Sequence, residues 1–148
     1  MFVFESAMAT LRKYADFQGR ASRHEFWCFF AFVILANAVA GLVGMLFGMG
    51  PMLSGLVGLF LVIPQIAVAV RRLHDVGKSG RELVVPCVIL AVMPVAFAFR
   101  GILPQIVALG LLGVGLLAFA NLLTLFLKKG TNVPNRYGKA PAAFSFAR

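Results

Sequence analysis

With 148 residues there is room for one domain, and 61% hydrophobic against 13% charged residues excludes an ordinary water-soluble globule, in which about a quarter of residues are charged. The net charge of +9 would suit nucleic acid, but a membrane protein with its basic loops on one side carries the same excess, so no nucleic-acid partner is inferred.

The opening MFVFESAM has no basic leader and carries Glu5, so it does not read as a cleavable signal peptide. Phe4, Met8, Leu11 and Ala15 recur at helical spacing, with Glu5, Arg12 and Lys13 elsewhere on the wheel. This predicts a short amphipathic helix lying in the cytoplasmic membrane interface, inside an N-terminal segment over residues 1–21. Phe17-Gln18-Gly19 breaks it. Ser22-Arg23-His24-Glu25 then matches a capping box, with Ser22 at the N-cap and Glu25 reaching back from the third helical position.

From Phe26 to Val70 no residue is charged. A bilayer core takes about 20 apolar residues per helix, so this run is two spans, broken at Gly48-Met49-Gly50-Pro51. The expected spans lie near residues 26–47 and 53–70. Two further uncharged runs, separated by Arg100, predict spans near 83–99 and 102–127. The third is short, about 25 Å, and the fourth, about 38 Å, should tilt or kink to fit. Pro64, Pro86, Pro94 and Pro104 allow kinks in the last three. The expected fold is therefore all-α, a four-span membrane domain over residues 22–127 with a tail over 128–148, of which 140–148 should be disordered.

Four spans put both termini and the central loop on one face. That face carries Arg12, Lys13, Arg20, Arg23, Arg71, Arg72, Lys78, Arg81, Lys128, Lys129, Arg136, Lys139 and Arg148, whereas the other carries Arg100 alone. The bias makes the basic face cytoplasmic and the protein a multi-pass protein of the plasma membrane.

Three short motifs abut the spans on that face: GRASRHEFW (Gly19–Trp27), RRLHDVGKSG (Arg71–Gly80) and NRYG (Asn135–Gly138). Together they resemble the YhaH-like bacterial inner-membrane family, domain of unknown function 805, over roughly Phe17 to Gly138. The resemblance implies a small helical inner-membrane protein with no established biochemical activity.

Among candidate site residues the arginines carry most information. Arg20, Arg23, Arg71, Arg72 and Arg136 reach one interface from three chain segments, at the depth of anionic head groups. Their planar forked donors suit phosphate. The expected ligand is an anionic membrane lipid or another phosphate-bearing partner. Ser22, Glu25, His74, Asp75, Ser79, Asn135 and Tyr137 form the candidate polar network around them. Asp75 should pair with Arg20, Arg23, Arg71 or Arg72. A sharper arrangement follows: Arg71 and Arg72 face inward with Arg23 and Asp75, and Asn135–Tyr137 closes over them. His74-Asp75 as a catalytic dyad has poor geometry, since adjacent helical residues point about 100° apart. Gly77-Lys78-Ser79 mimics a P-loop, but Arg72 stands where its first glycine belongs. No catalytic residue, metal site or cofactor is predicted. Cys28 and Cys87 read as reduced packing residues. The competing readings are a passive transporter, channel or lipid-moving protein, and a head-group enzyme using His74 and Asp75.

Ala36, Ala40, Gly44 and Gly48 fall four apart along the first span. Such a ladder lets helices approach closely. It could serve a homo-oligomer or, more naturally, a contact with the glycine-rich fourth span.

Overall fold

A computed structural model describes residues 2–99 and 101–141. Five helices follow one another: α1 (Phe2–Arg12), α2 (Arg23–Leu46), α3 (Gly50–Asp75), α4 (Val84–Ala98) and α5 (Ile102–Leu127), with a 3-10 turn, Gly80–Leu83, leading into α4. α2, α3 and α5 are each long and apolar enough to cross a membrane. α4 has 15 residues, about 22 Å at 1.5 Å per residue, against a hydrocarbon core of about 30 Å. Among the described residues the fold is thus all-helical with three membrane-capable helices. Large apolar side chains such as Leu42, Leu46, Leu103 and Leu117 point outward. Water would penalise such a surface, whereas lipid solvates it.

The break inside the 45-residue apolar run falls where Gly and Pro predict it. α3 starts at Gly50 with Pro51 in its first turn, where a missing N–H does no harm. The two helices then approach closely through small residues. A Cβ on Gly44 would stand 2.7 Å from the Gly50 Cα, and one on Gly58 would stand 3.1 Å from Asn37 Oδ1. Gly44, with buried Ala40, is therefore used within the chain, whereas Gly48 lies beyond α2 and a Cβ there would meet nothing within 4 Å. The partner of Gly44 is α3 rather than the expected fourth span, because a short loop brings the next helix back along the same face. α5 packs instead on α4, where a Cβ on Gly115 would meet Ile89 at 3.1 Å.

The core gathers Ala7, Ala21, Phe26, Phe29, Leu61, Val68 and Ala69, from α1, α2, α3 and the α1–α2 connection. A second cluster, Leu73 with Leu122 and Leu125, joins α3 to α5. α1 is docked on protein through Ala7 and Thr10, both fully buried, while Phe4 and Met8 of its expected apolar face are exposed. Ala15 lies beyond its end.

Tyr14, just past α1, reaches the middle of α3. Its hydroxyl donates to the Phe60 carbonyl at 2.5 Å, and the two rings sit 5.2 Å apart. Pro64 lies four residues beyond Phe60 and has no N–H, so this carbonyl lacks its helical donor. Phe60 is about 16 Å along the helix from Arg71. α1 therefore sits against the flank of the α2–α3 pair, well below the arginines, instead of level with them.

Candidate functional site

The start of α2, the last turn of α3 and the chain after α5 meet at one end of the bundle. Ser22 caps α2 as its spacing predicts: its Oγ accepts from the Glu25 N–H at 3.1 Å. The reciprocal half of the capping box does not form. Glu25 instead accepts from Arg71 Nη1 at 2.9 Å, a charge-assisted bond that outweighs a neutral backbone donor.

Asp75 is the hub. It is 4% exposed and lies between two buried guanidinium groups. Arg20 reaches Oδ1 with Nε at 3.0 Å and Nη2 at 2.8 Å. Arg72 Nη1 takes Oδ2. The remaining donors of both arginines go to backbone carbonyls after or near the end of α5. Arg20 bonds the Val133 carbonyl at 2.9 Å and the Thr131 carbonyl and hydroxyl. Arg72 bonds the carbonyls of Phe126 and Lys128. The last carbonyls of a helix have no internal donor, and Arg72 supplies one at Phe126.

The chain after α5 is drawn tightly over this hub. Thr131 N–H donates to the Asp75 carbonyl at 3.1 Å. A Cβ on Gly130 would overlap the Asp75 carboxylate, lying 2.6 Å from its Cγ. Only glycine lets the backbone pass there. Further on, the Asn135 amide donates to the His74 carbonyl at 2.9 Å, and Tyr137 stacks on the His74 ring at 3.7 Å and 5°. Arg136 lies over the outer face of Tyr137, 4.8 Å from its centroid. His74 lies past Val70, where the uncharged part of α3 ends. Its Nδ1 donates to the Gly19 carbonyl at 3.1 Å. Burial pushes its pKa below the usual imidazole value; the Gly19 bond opposes that shift and Arg136 adds to it.

The structure thus brings Arg20, Arg72 and Asp75 together and joins His74, Asn135 and Tyr137 beside them. It separates the rest. Arg20, not Arg23, is the second partner of Asp75. Arg71, expected beside Asp75, turns to Glu25 instead. Asn135–Tyr137 closes over His74 rather than over Arg71 and Arg72. Ser79 caps no helix with its side chain, and its carbonyl accepts from the Glu82 N–H. Arg71 is 2% exposed, yet its Nε and Nη2 have no hydrogen-bond partner.

Arg23 is exposed, and among the described residues its side chain donates to the Leu127 carbonyl alone, at 3.3 Å. It borders a cavity of about 500 Å³ with Ser22, His24, Asp75, Lys129, Gly130, Thr131 and Asn132. Lys129, Gly130 and Thr131 carry no recognisable motif, and only the pair of lysines before a glycine hinted at them. Ala140 and Pro141 complete the wall; the rest of the tail expected to be disordered, 142–148, lies outside the described residues.

The family model described as "Protein of unknown function (DUF805)" matches residues 14–139, a stretch that holds Arg20, Arg72 and Asp75. The Escherichia coli K12 inner membrane protein YhaI is 30% identical over 135 residues, covering 90% of this chain and 92% of the relative. Inner membrane protein YhaH of the same strain is 34% identical over 78 residues, 49% of this chain and 64% of the relative. No solved structure matches. With membrane-capable helices and relatives named for the inner membrane, this is a multi-pass inner-membrane protein, and the chain belongs to the DUF805 family.

Proposed function

We propose that this protein spans the inner membrane four times with both termini cytoplasmic. In this reading it holds an anionic lipid head group at its cytoplasmic end without transforming it. Arg20, Asp75 and Thr131 are mutually bonded, so the chain between Asp75 and Thr131 leaves one face and returns to it. α4 is then the outbound leg and α5 the return. The basic asymmetry assigns that face to the cytoplasm.

The observation that carries the head-group reading is the uncompensated charge around the 500 Å³ cavity. Arg23 and Lys129 border the cavity together with Asp75, whose carboxylate is already held by Arg20 and Arg72. Among the described residues neither Arg23 nor Lys129 forms an ion pair. Arg23 also occupies the first turn of α2, where outward N–H groups and the helix dipole already favour an anion. Arg20, Arg71 and Arg72 act in this reading as the buried frame, and Arg23 with Lys129 as the contact. A head-group enzyme built on His74 and Asp75 has less support, because two arginines hold the carboxylate and Tyr137 covers the imidazole.

Native mass spectrometry from mixed phosphatidylglycerol and phosphatidylcholine micelles tests this. Phosphatidylglycerol should be retained preferentially, and Arg23→Ala with Lys129→Ala should remove the preference while Lys128→Ala leaves it. Equal retention of both lipids by the unaltered protein contradicts the reading.

A further inference from the structure

A second hollow adjoins the cavity at the polar end. Arg23 and His24 border both, and Trp27 and Leu127 line the second. Trp27 in turn borders a third cavity, about 250 Å³, enclosed by α2, α3, α4 and α5. Its walls are almost wholly apolar, including Phe30, Leu90, Phe119 and Leu123. These adjoining hollows, with cations at one end and hydrocarbon at the other, have the polarity profile of a single lipid molecule.

One wall residue does not suit hydrocarbon. Gln65 is the sole amide in that lining, and its side-chain oxygen is buried with no hydrogen-bond partner. The orphaned atom is an acceptor, so it calls for a hydrogen-bond donor and no lipid ester satisfies it; left bare inside a membrane it costs about 1 to 3 kcal/mol. Gln65 lies six residues below Arg71, about 9 Å along the helix. This depth lies on the acyl-chain side of the cationic end, among apolar walls.

We infer that the crevice between α2 and the α4–α5 pair takes one acyl chain of the anionic glycerophospholipid whose head group binds at Arg23 and Lys129. The inference rests on the head-group reading and adds the chain: the ligand is a diacyl lipid, bound from the bilayer, and not a soluble phosphate compound. α4 matters in this arrangement because, with Pro86, Cys87 and Leu90, it forms the outer wall.

Trp27 is the protein's only tryptophan and sits where the second and third cavities join. Its fluorescence therefore reports a chain in the crevice. The test places the full chain in phosphatidylcholine nanodiscs and titrates in phosphatidylglycerol or phosphatidylcholine brominated along the acyl chains. Brominated phosphatidylglycerol should quench Trp27 at a mole fraction lower by about fivefold per contacting cation. Cys87→Phe, which adds bulk to an exposed position in the α4 wall, should reduce quenching, and Leu123→Phe from the α5 wall should do the same by an independent route. Quenching by both brominated lipids at the same mole fraction, with phosphatidylglycerol still retained in mass spectrometry, overturns the chain site and leaves the head-group site standing. Loss of preference in both measurements overturns both. Undiminished quenching in both bulky variants shows bromine reaching Trp27 from the surrounding bilayer and overturns the chain site.

Discussion

Tyr14 satisfies the carbonyl of Phe60, the one backbone acceptor that Pro64 strips of its helical donor. The bond fastens the segment before α2 to the middle of α3, and it lets a proline remain in a helix surrounded by lipid. Tyr14→Phe keeps the ring contact and removes the hydroxyl. It should lower stability by about 1 kcal/mol, the usual worth of a hydrogen bond between membrane helices. Unfolding in graded sodium dodecyl sulfate measures it, and Pro64→Ala, which restores the helical N–H, should rescue most of the loss.

Gly130 is required by contact. Gly130→Ala forces the chain after α5 off the Asp75 carboxylate and weakens the bonds from Arg20 and Arg72 to that segment. The expected loss is about 2 to 4 kcal/mol. Gly110→Ala in α5, where a Cβ would meet nothing within 4 Å, is the control. It should be neutral or slightly stabilising, since alanine is the better helix former.

Asp75→Asn leaves two buried guanidinium groups facing each other without a counter-charge. Breaking a buried pair from one side costs about 3 to 5 kcal/mol. Arg20→Met should cost less, because Asp75 keeps Arg72. The order of the two variants in the same detergent series, Asp75→Asn the weaker fold, checks the assignment of Asp75 as hub.

His74 makes the end of the bundle sensitive to acid. Its pKa in the folded protein lies below the ordinary imidazole value, with burial the first cause. The unfolded chain therefore takes up the proton first. The contribution is fully present above about pH 6.5, the ordinary value, and is lost as pH falls from there through the folded-state pKa. The melting temperature should drop between pH 7.5 and pH 5.5, and His74→Gln should flatten that drop. Half-burial of the ring keeps the effect modest.

Much of this architecture was legible in residue patterns. Charge-free runs marked the helices, Ser22 marked the start of α2, and Pro51 marked the start of α3. The three motifs that flank the spans do come together. What local pattern could not reveal was pairing across more than 50 residues. Whether Arg20 or Arg23 meets Asp75 depends on how the chain enters α2, since the two differ by less than one helical turn. Glu25 looked like a capping residue because the capping box is a local rule, and Arg71 overrides it from another helix. Pro64 marked a place for a kink, but nothing near it named Tyr14 as the donor that the Phe60 carbonyl finds. The arginines read as a ligand site because their carbonyl acceptors beyond α5 are invisible until the chain is folded. For the same reason Arg72→Lys should destabilise the fold, since lysine lacks the fork that spans Asp75, Phe126 and Lys128.

The head-group site itself is tested most directly by a structure determined in nanodiscs that contain phosphatidylglycerol. Phosphate density should lie within hydrogen-bond reach of both Arg23 and Lys129, at the first turn of α2. A cavity without lipid phosphate in such nanodiscs, or phosphate bound elsewhere on the basic face with Arg23 and Lys129 in solvent, would contradict the account.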